Sequence, residues 1–458
     1  MQRAQSDPQM TTGRQMGVWA ATAVVTGEAI SLGIFLTPAA MARSLGSPAL
    51  LAAVWCGMAI FTLAGALCFT ELAVRNPHDG GEYVYLRRGF GRQVAFLYGW
   101  MAALVMYPGV AASLAVGTAP YVAAVLPIPQ SAVPLLPALT VLALGALSYA
   151  GTRLSSRLMT TLNWLKVPVL VAMVGWAFVG GHMALHNLTP LTARRGGADP
   201  LFEAIAGAAI SAFFCFGGWW EAGKIAGHVR NPERTLPIAF TGGVLLVTAL
   251  YMLVSVAFVA VVPMEQIQSN TAFVAQFGQA LFGAAGAWVL SACVVLCVLG
   301  GLMVLFMAVP RVTVALARGE AGPESRGVLA ALGRVRAQGE VPANALLLQT
   351  AMALAVLALG AFDRILAFII FSSVVFLALT AATLFRAITP VRRWWYPAAP
   401  LVFIGGCAVL ALMLLMHGPV PALIGAAIVL AGLPARWLLT RRQTAAAPAQ
   451  AAPETPVP

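Results

Sequence analysis

The sequence predicts an all-α integral membrane protein of about twelve transmembrane helices, and three observations lead to this fold class. Of the 458 residues, 60% are hydrophobic and only 9% are charged, with a mean hydropathy of +0.87. A soluble domain carries roughly 25% charged residues because its surface must face water. The apolar residues form blocks of about 20 residues, the length of a membrane-spanning helix. The blocks show no alternating strand pattern, and backbone groups in hydrocarbon must be paired internally, so they predict helices.

The blocks, taken in order, set the bounds of the predicted spans. The first lies too close to residue 1 and contains too many glycines for a simple cleaved signal peptide, so it is interpreted as helix one. Residues 1–15 and the Ala/Pro-rich residues 443–458 are predicted to be cytoplasmic tails, the second of them disordered. The spans are predicted at residues 17–43, 48–72, 93–125, 133–150, 160–181, 202–225, 236–262, 284–316, 343–361, 364–387, 398–416 and 419–440.

The net charge of +12 is distributed asymmetrically along this topology. When both termini are placed in the cytoplasm, Lys166 lies within a span and few basic residues lie on the outer side. Those few are Arg43, Arg194, Arg195 and Arg364. All other Lys and Arg lie on the cytoplasmic side, which is the positive-inside pattern of a multi-pass protein of a bacterial inner membrane. The basic residues therefore set topology, and the chain offers no soluble module that would bind nucleic acid.

Small or polar residues interrupt two of the spans near their middle. One interruption runs from Gly27 to Phe35 in span one, and the other runs from Phe214 to Trp220 in span six. Helix packing alone explains a single pair of glycines, since small residues are common where membrane helices touch. Interruptions five spans apart instead favour an inverted repeat of five plus five helices, in which discontinuous helices 1 and 6 form a central site.

At these residues the sequence resembles the amino acid–polyamine–organocation superfamily, and within it the L-type and related amino acid permeases, most closely the bacterial L-type-like permeases. Four signatures in the family's order carry the resemblance. They are Gly33-Ile34-Phe35 with Pro38; Gly65 to Leu72 with Gly80 to Leu86; Phe96 to Trp100; and Phe216 to Trp219 with Val229 to Pro237. The chain departs from the L-type pattern at Trp220, where Asn is usual, and at Gly227-His228, where two Glu are usual.

The resemblance implies a permease domain over residues 16–442 with a five-plus-five inverted-repeat (LeuT-like) fold. Repeat one covers about 17–182, repeat two about 200–388, and two extra C-terminal helices about 397–441. The implied function is amino acid transport across the cytoplasmic membrane, with an amino acid as substrate, the lipid bilayer as surroundings and no cofactor. Animal L-type relatives attach to a single-span glycoprotein through a Cys after helix three. Because residues 126–132 contain no Cys, no disulfide-linked partner is expected.

The helix interruptions predict how a zwitterion would bind. A half-helix beginning in mid-membrane exposes free N–H groups and a positive dipole end, so the substrate carboxylate is assigned to N–H groups near Ser31, Leu32 and Gly33. Carbonyl groups at the ends of the first half-helices would receive the ammonium. Those carbonyls lie near Ile30 and in Phe214, Cys215, Phe216 and the adjoining Gly217. Phe214, Phe216 and Trp219 are candidates to line a side-chain pocket, with lipid or helix packing as the alternative role.

Two charged residues are candidates for coupling or gating. Lys166 resembles the family's span-five lysine, whose ammonium is thought to stand where sodium-dependent relatives bind a cation. A Lys at mid-membrane costs about 3 kcal/mol or more and so needs a partner or a function, unless it snorkels to the cytoplasmic surface. Glu28 lies beside the first interruption, where it would pair with Lys166 or meet the substrate ammonium or a proton. The spacing of Glu221 and Lys224 favours a local helix pair.

The residue composition favours a transporter over an integral-membrane enzyme. The preferred interpretation is a secondary transporter of neutral amino acids, driven by protons or by exchange, and the alternative is an amine or polyamine transporter with Glu28 as counter-charge. An integral-membrane enzyme would present clusters of His, Asp and Glu at the membrane face. The five His residues show no metal-ligand spacing, so no metal site and no catalytic residues are predicted. All six cysteines lie inside apolar blocks, and no disulfide framework is predicted.

Overall fold

The structure is a computed structural model in which described residues form helices and connecting segments. It describes residues 16–30, 33–76, 81–150, 162, 168, 171–267, 273–320, 327–336, 341–360, 362–386, 393 and 395–446. Within these ranges, extended pairing is limited to two isolated bridges, Met16 with Val229 and Arg336 with Val341. The prediction of an all-helical chain is confirmed for the described residues.

Sixteen α-helical segments follow one another along the described chain, and the eleventh is interrupted at Gly283, where φ is +68° and ψ is −158°. They are α1 Val18–Ala29, α2 Gly33–Leu45, α3 Pro48–Arg75, α4 Gly81–Phe90, α5 Arg92–Met101, α6 Tyr107–Val125, α7 Leu136–Ala150, α8 over 171–179, α9 Leu201–Phe216, α10 Pro232–Val261, α11 Phe273–Glu320, α12 Val328–Leu332, α13 Ala343–Leu357, α14 Phe362–Ala382, α15 Ala398–His417 and α16 Pro419–Ala446. A π-helix, Ala102–Met106, joins α5 to α6. Turns of 3-10 helix lie at Gln130–Leu135, Leu185–Leu188, Trp219–His228, Met264–Gln266 and Thr383–Arg386.

Nine helical segments of the described chain are long and apolar enough to cross a membrane. They are Pro48–Arg75, Arg92–Val125, Gln130–Ala150, Leu201–Glu221, Pro232–Val261, Phe273–Gly319, Arg364–Arg386, Ala398–Met416 and Pro419–Leu438. The other three predicted spans differ for identifiable reasons. Span one is divided into α1 and α2, of 12 and 13 residues. Span five is described only at Leu162, Pro168 and residues 171–181. Helix α13, in span nine, has 15 residues.

The core is built around α3 and α10, which pack along each other. Both halves of span one contact α10, but α1 also packs against the segment Trp219–His228, whereas α2 packs mainly against α9. Outside this group, α11 packs on α6, and α14 packs on α15 and α16. Glycines permit close approaches, since a Cβ on Gly65 would overlap the ring of Phe403 and one on Gly406 would overlap the ring of Phe61. Small residues at such contacts are typical of helix packing in membranes.

Polar contacts tie the chain together at the two ends of α3, a 28-residue helix about 42 Å long. At its first end the Ser47 hydroxyl accepts a hydrogen bond from the N–H of Leu50 and caps the helix. At its last end the Glu71 carboxylate, which is 9% exposed, pairs with Arg75 at 2.7 Å and with Arg393 at 3.0 Å. The second pair joins α3 to the segment that precedes α15.

Candidate functional site

The first helix interruption lies between α1 and α2. The last residue of α1 is Ala29, and Ile30 leaves the helical conformation with φ −76° and ψ 86° while its N–H still bonds the carbonyl of Thr26. Helix α2 begins at Gly33. Ser31 and Leu32, predicted to supply N–H groups to the substrate, lie outside the described residues. Ile30 itself is buried, with 6% of its surface exposed.

The second interruption follows α9. Gly217 is extended, with φ −53° and ψ 150°, and Gly218 is left-handed, with φ +97° and ψ −18°. A side chain at Gly218 would be strained in that conformation, which explains the glycine. The chain then continues as 3-10 helix from Trp219, so the second half of predicted span six is not a regular α-helix.

The two interruptions lie against each other. A Cβ placed on Gly33 would lie 2.9 Å from the Sγ of Cys215 and 3.1 Å from its Cα. One turn further along α2, the Thr37 hydroxyl and the Cys215 thiol share a hydrogen bond of 2.6 Å. The start of α2 and the end of α9 therefore touch through a glycine and a polar pair. The structure brings predicted residues of both spans, Gly33 and Cys215, into one place.

Two buried tyrosines hold the backbone beside the interruptions. The Tyr251 hydroxyl, from α10, donates to the carbonyl of Cys215 at 2.8 Å. The Tyr121 hydroxyl, from α6, donates to the carbonyl of Phe35 at 3.3 Å. The sequence analysis missed both tyrosines. The available signal was a tyrosine in the middle of an apolar span, because a buried phenol requires a hydrogen-bond partner.

The predicted aromatic residues differ in their surroundings. The ring of Phe216 packs against Trp55 and Tyr251, with centroids 6.1 Å and 5.4 Å apart. The ring of Trp219 packs edge-on against Phe69 at 5.1 Å. Both side chains are 2% exposed, whereas Phe214 is only half-buried. In this conformation Phe216 and Trp219 serve the packing role that the sequence analysis left as the alternative, and Phe214 keeps part of its surface accessible.

The side chains of the two coupling candidates, Glu28 and Lys166, lie outside the described part of the structure. Glu28 lies in the last turn of α1, two residues before Ile30, but its side chain is outside the described part of the structure. Lys166 lies in a stretch that is outside it as well. The pairing of Glu28 with Lys166 therefore stays a prediction. Among the described residues, no group of three or more His, Cys, Asp or Glu side chains could hold a metal ion.

A further carboxylate lies just beyond the second interruption. Glu221 accepts a hydrogen bond from the Tyr107 hydroxyl, at 3.2 Å to one oxygen and 3.3 Å to the other. Tyr107 directly follows the π-helix Ala102–Met106, and π-helical turns are frequent at functional sites. The predicted partner of Glu221 on its own helix, Lys224, has a side chain outside the described residues. The contact with Tyr107 joins spans three and six.

Comparison with known sequences identifies the family of this chain. A family model described as "Amino acid permease" matches residues 16–431. The chain belongs to the amino acid permease family. The match covers both interruptions, eight of the nine apolar segments completely, and the first part of the ninth, Pro419–Leu438. The predicted resemblance to the amino acid–polyamine–organocation superfamily is confirmed, and this permease is a multi-pass membrane transporter rather than an enzyme.

Named relatives of the permease come from animals and from a bacterium. The mouse "Large neutral amino acids transporter small subunit 2" is 27% identical over 443 residues, covering 93% of this chain and 81% of the relative. The "Serine/threonine exchanger SteT" of Bacillus subtilis is 26% identical over 444 residues, covering 94% and 98%. The mouse "Asc-type amino acid transporter 1" is 28% identical over 298 residues, covering 63% and 55%. These relatives support amino acid transport as the function of the family member described here.

Proposed function

We propose that this permease is a secondary active transporter of neutral L-amino acids in a bacterial cytoplasmic membrane, with both termini inside. The observation that carries the proposal is the juxtaposition of the two helix interruptions at Gly33 and Cys215. Where two interrupted helices meet within an apolar bundle, their unpaired main-chain N–H and C=O groups can bind a polar substrate in place of water. Twelve helices in a five-plus-five inverted repeat, with two further C-terminal helices, are the architecture proposed around that site.

In the proposed binding mode, main-chain groups at the two interruptions bind the carboxylate and the ammonium of the amino acid. N–H groups of Ser31, Leu32 and Gly33, at the start of α2, would receive the carboxylate with the help of the helix dipole. The carbonyls of Ile30 and Phe216 would receive the ammonium. The carbonyl of Cys215 already accepts from Tyr251 and keeps a second lone pair for this purpose.

The proposed specificity for neutral amino acids follows from the surroundings of the interruptions. The described side chains at this contact, among them Phe214, Cys215 and Thr37, carry no charge. A substrate side chain carrying a full charge would have to be desolvated beside them, which is costly. The names of two relatives, a serine/threonine exchanger and a large neutral amino acids transporter, agree with uncharged substrates.

We propose that transport is driven either by proton symport or by exchange of amino acids. Glu28 lies in the last turn of α1, two residues before Ile30. We propose that its carboxylate accepts a proton or binds the substrate ammonium, and that Lys166 is its partner. Replacing Glu28 with Gln removes the titrating group but keeps the size of the side chain. We therefore expect the E28Q variant to transport with an altered pH profile. An unchanged profile would remove Glu28 from the coupling mechanism.

The test of the proposed function is reconstitution of the purified permease in liposomes. Uptake of radiolabelled L-leucine, L-serine and putrescine would be measured with a proton gradient, with a sodium gradient, and with unlabelled substrate inside. Accumulation that requires internal substrate establishes exchange, and accumulation driven by the proton gradient establishes symport. Uptake of putrescine alone would replace the amino acid proposal with the amine alternative. Dependence on sodium would contradict the proposed role of Lys166.

A further inference from the structure

A cavity of about 980 Å³ lies at the end of the bundle where α2 ends and α9 begins. It is at the Ser47 end of α3, opposite the end at which Glu71 pairs with two arginines. Helix α14 and the turn between α15 and α16 complete its wall. The charged and hydroxyl side chains of the lining are those of Arg43, Ser44, Asp199, Glu203, Ser211 and Arg364.

The charged groups of the lining are of both signs, and three of them have no partner among the described residues. Asp199 accepts a hydrogen bond from the Ser44 hydroxyl at 2.6 Å. Arg43, Glu203 and Arg364 make no hydrogen bond or ion pair with any described residue. The three come from three different helices, α2, α9 and α14. Two guanidinium groups and one carboxylate thus line a shared volume without a partner among the residues that the structure describes.

The cavity approaches the helix interruptions without reaching them. Its innermost lining residue on α9, Ser211, lies four residues before Cys215, about 6 Å along the helix. On α2, Ala39 lies six residues after Gly33, about 9 Å along the helix. The shared hydrogen bond between Thr37 and Cys215 lies between the cavity and the interruptions. A molecule in the cavity would therefore stand one to two helical turns outside the site proposed above.

We propose that this cavity is a vestibule subsite that holds an amino acid before it reaches the interrupted helices. The proposal rests on the proposed function and adds a second place of recognition to it. Arg364 and Arg43 bind the carboxylate, because a planar guanidinium matches a carboxylate with two parallel hydrogen bonds. Glu203 binds the ammonium. A volume of about 980 Å³ lies at the upper end of the roughly 300–1,000 Å³ of small-molecule pockets, so an amino acid fits together with bound water.

The charge pattern selects the chemical class of the ligand. A zwitterion satisfies both signs at once, whereas a simple amine would meet two arginines with no carboxylate to offer them. Because Glu203 and Arg364 are exposed to solvent, their attraction is screened by salt and each contact is modest. We expect removal of one such contact to weaken capture roughly fivefold at low ionic strength, and less at high salt.

The experiment measures KM separately on the two faces of proteoliposomes in which the orientation of the permease is known. Variants R364Q and E203Q would be compared with R92Q, which replaces an exposed arginine at the opposite end of the bundle. Radiolabelled L-leucine and L-serine are the probes. R364Q and E203Q are expected to raise KM roughly fivefold on the cavity face only, with maximal rate and the KM of the other face unchanged. R364K, which keeps the charge, is expected to restore part of the affinity.

The outcomes distinguish the subsite from the transport function. If the wild type transports amino acids but both R364Q and E203Q keep the wild-type KM on the cavity face, the subsite is overturned and the proposed function stands. Equal changes on both faces, or the same change in R92Q, also overturn it, because a vestibule acts on one face. A wild-type protein that moves neither amino acid overturns the proposed function. If a variant proves unstable, binding of L-leucine to the purified wild type at low and high salt gives the same decision, since salt-independent binding contradicts charged capture.

Discussion

The contact between Gly33 and Cys215 makes a quantitative prediction about opening of the permease. An alanine at position 33 would place its Cβ 2.9 Å from the Sγ of Cys215 and 3.1 Å from its Cα, whereas carbon atoms pack best at about 3.5–4.0 Å. The backbone of α9 would have to move by roughly half an ångström. Overpacking of this kind costs about 1–3 kcal/mol, which corresponds to a shift of roughly 5- to 150-fold toward conformations in which α2 and α9 separate.

The helix itself is not weakened by this change, because alanine is a better helix former than glycine by about 1 kcal/mol. The effect of G33A is therefore confined to the contact between helices. The assay is the rate at which N-ethylmaleimide labels Cys215, which is fully buried, in a background with the other five cysteines replaced by alanine. We expect roughly tenfold faster labelling in G33A than in the parent.

The matched control is G57A on α3, because a Cβ on Gly57 meets no atom within 4 Å. This variant adds the same methyl group to a membrane helix without touching a neighbour, so its labelling rate is expected to equal that of the parent. Equal labelling rates in G33A and the parent would refute the idea that the contact at Gly33 limits separation of α2 from α9. Faster labelling in G57A as well would show that added helix propensity, rather than the contact, changes the accessibility of Cys215.

Three further predictions concern stability in detergent, measured as the temperature of unfolding. Y251F removes the hydrogen bond to the Cys215 carbonyl and should cost about 0.5–1.5 kcal/mol; an unchanged temperature would show that another group replaces the phenol. G65A forces its methyl group into the ring of Phe403 and should cost about 1–3 kcal/mol, while the glycine control described above should not change. E71Q breaks two ion pairs, one with a half-exposed arginine, so a loss of about 1 kcal/mol that shrinks in high salt is expected, and a salt-independent loss would contradict an ionic origin.

The sequence was sufficient to predict nine spans that the described residues show as long apolar helices, and the places where spans one and six are interrupted. Predicted spans 93–125 and 133–150 correspond to the observed segments Arg92–Val125 and Gln130–Ala150. Apolar blocks report spans directly because the hydrocarbon thickness sets their length. The interruption in span six was visible as adjacent glycines, and the structure places it at Gly217 and Gly218.

The partners of the interrupted helices could not be predicted in the same way. The hydrogen bond between Thr37 and Cys215 joins residues 178 positions apart, and that between Tyr251 and Cys215 joins residues 36 positions apart. A single sequence carries periodicity and composition along the chain but does not state which helix faces which. For the same reason the aromatic character of Phe216 and Trp219 did not distinguish substrate contact from the packing that the structure shows.

The contacts on the two sides of the interruptions differ in strength, and this difference bears on the order of opening. On the cavity side, α2 packs along α9, and the hydrogen bond between these helices, from Thr37 and Cys215, contributes only about 0.5–1.5 kcal/mol net. On the other side, Trp219 packs edge-on against Phe69, Phe240 and Phe403, and each aromatic pair contributes about 0.5–1.5 kcal/mol beyond its buried area.

Separation of α2 from α9 breaks the hydrogen bond between Thr37 and Cys215, whereas movement of the 3-10 segment that begins at Trp219 breaks three aromatic pairs. The cavity already extends to within about 6 Å of Cys215 along α9, so a small outward displacement of either helix would connect it to the interruptions. A carrier that alternates access must open one side while the other stays closed. For the alternating access proposed for this permease, we therefore expect the side of the cavity to open first, while the aromatic cluster around Trp219 keeps the opposite side closed.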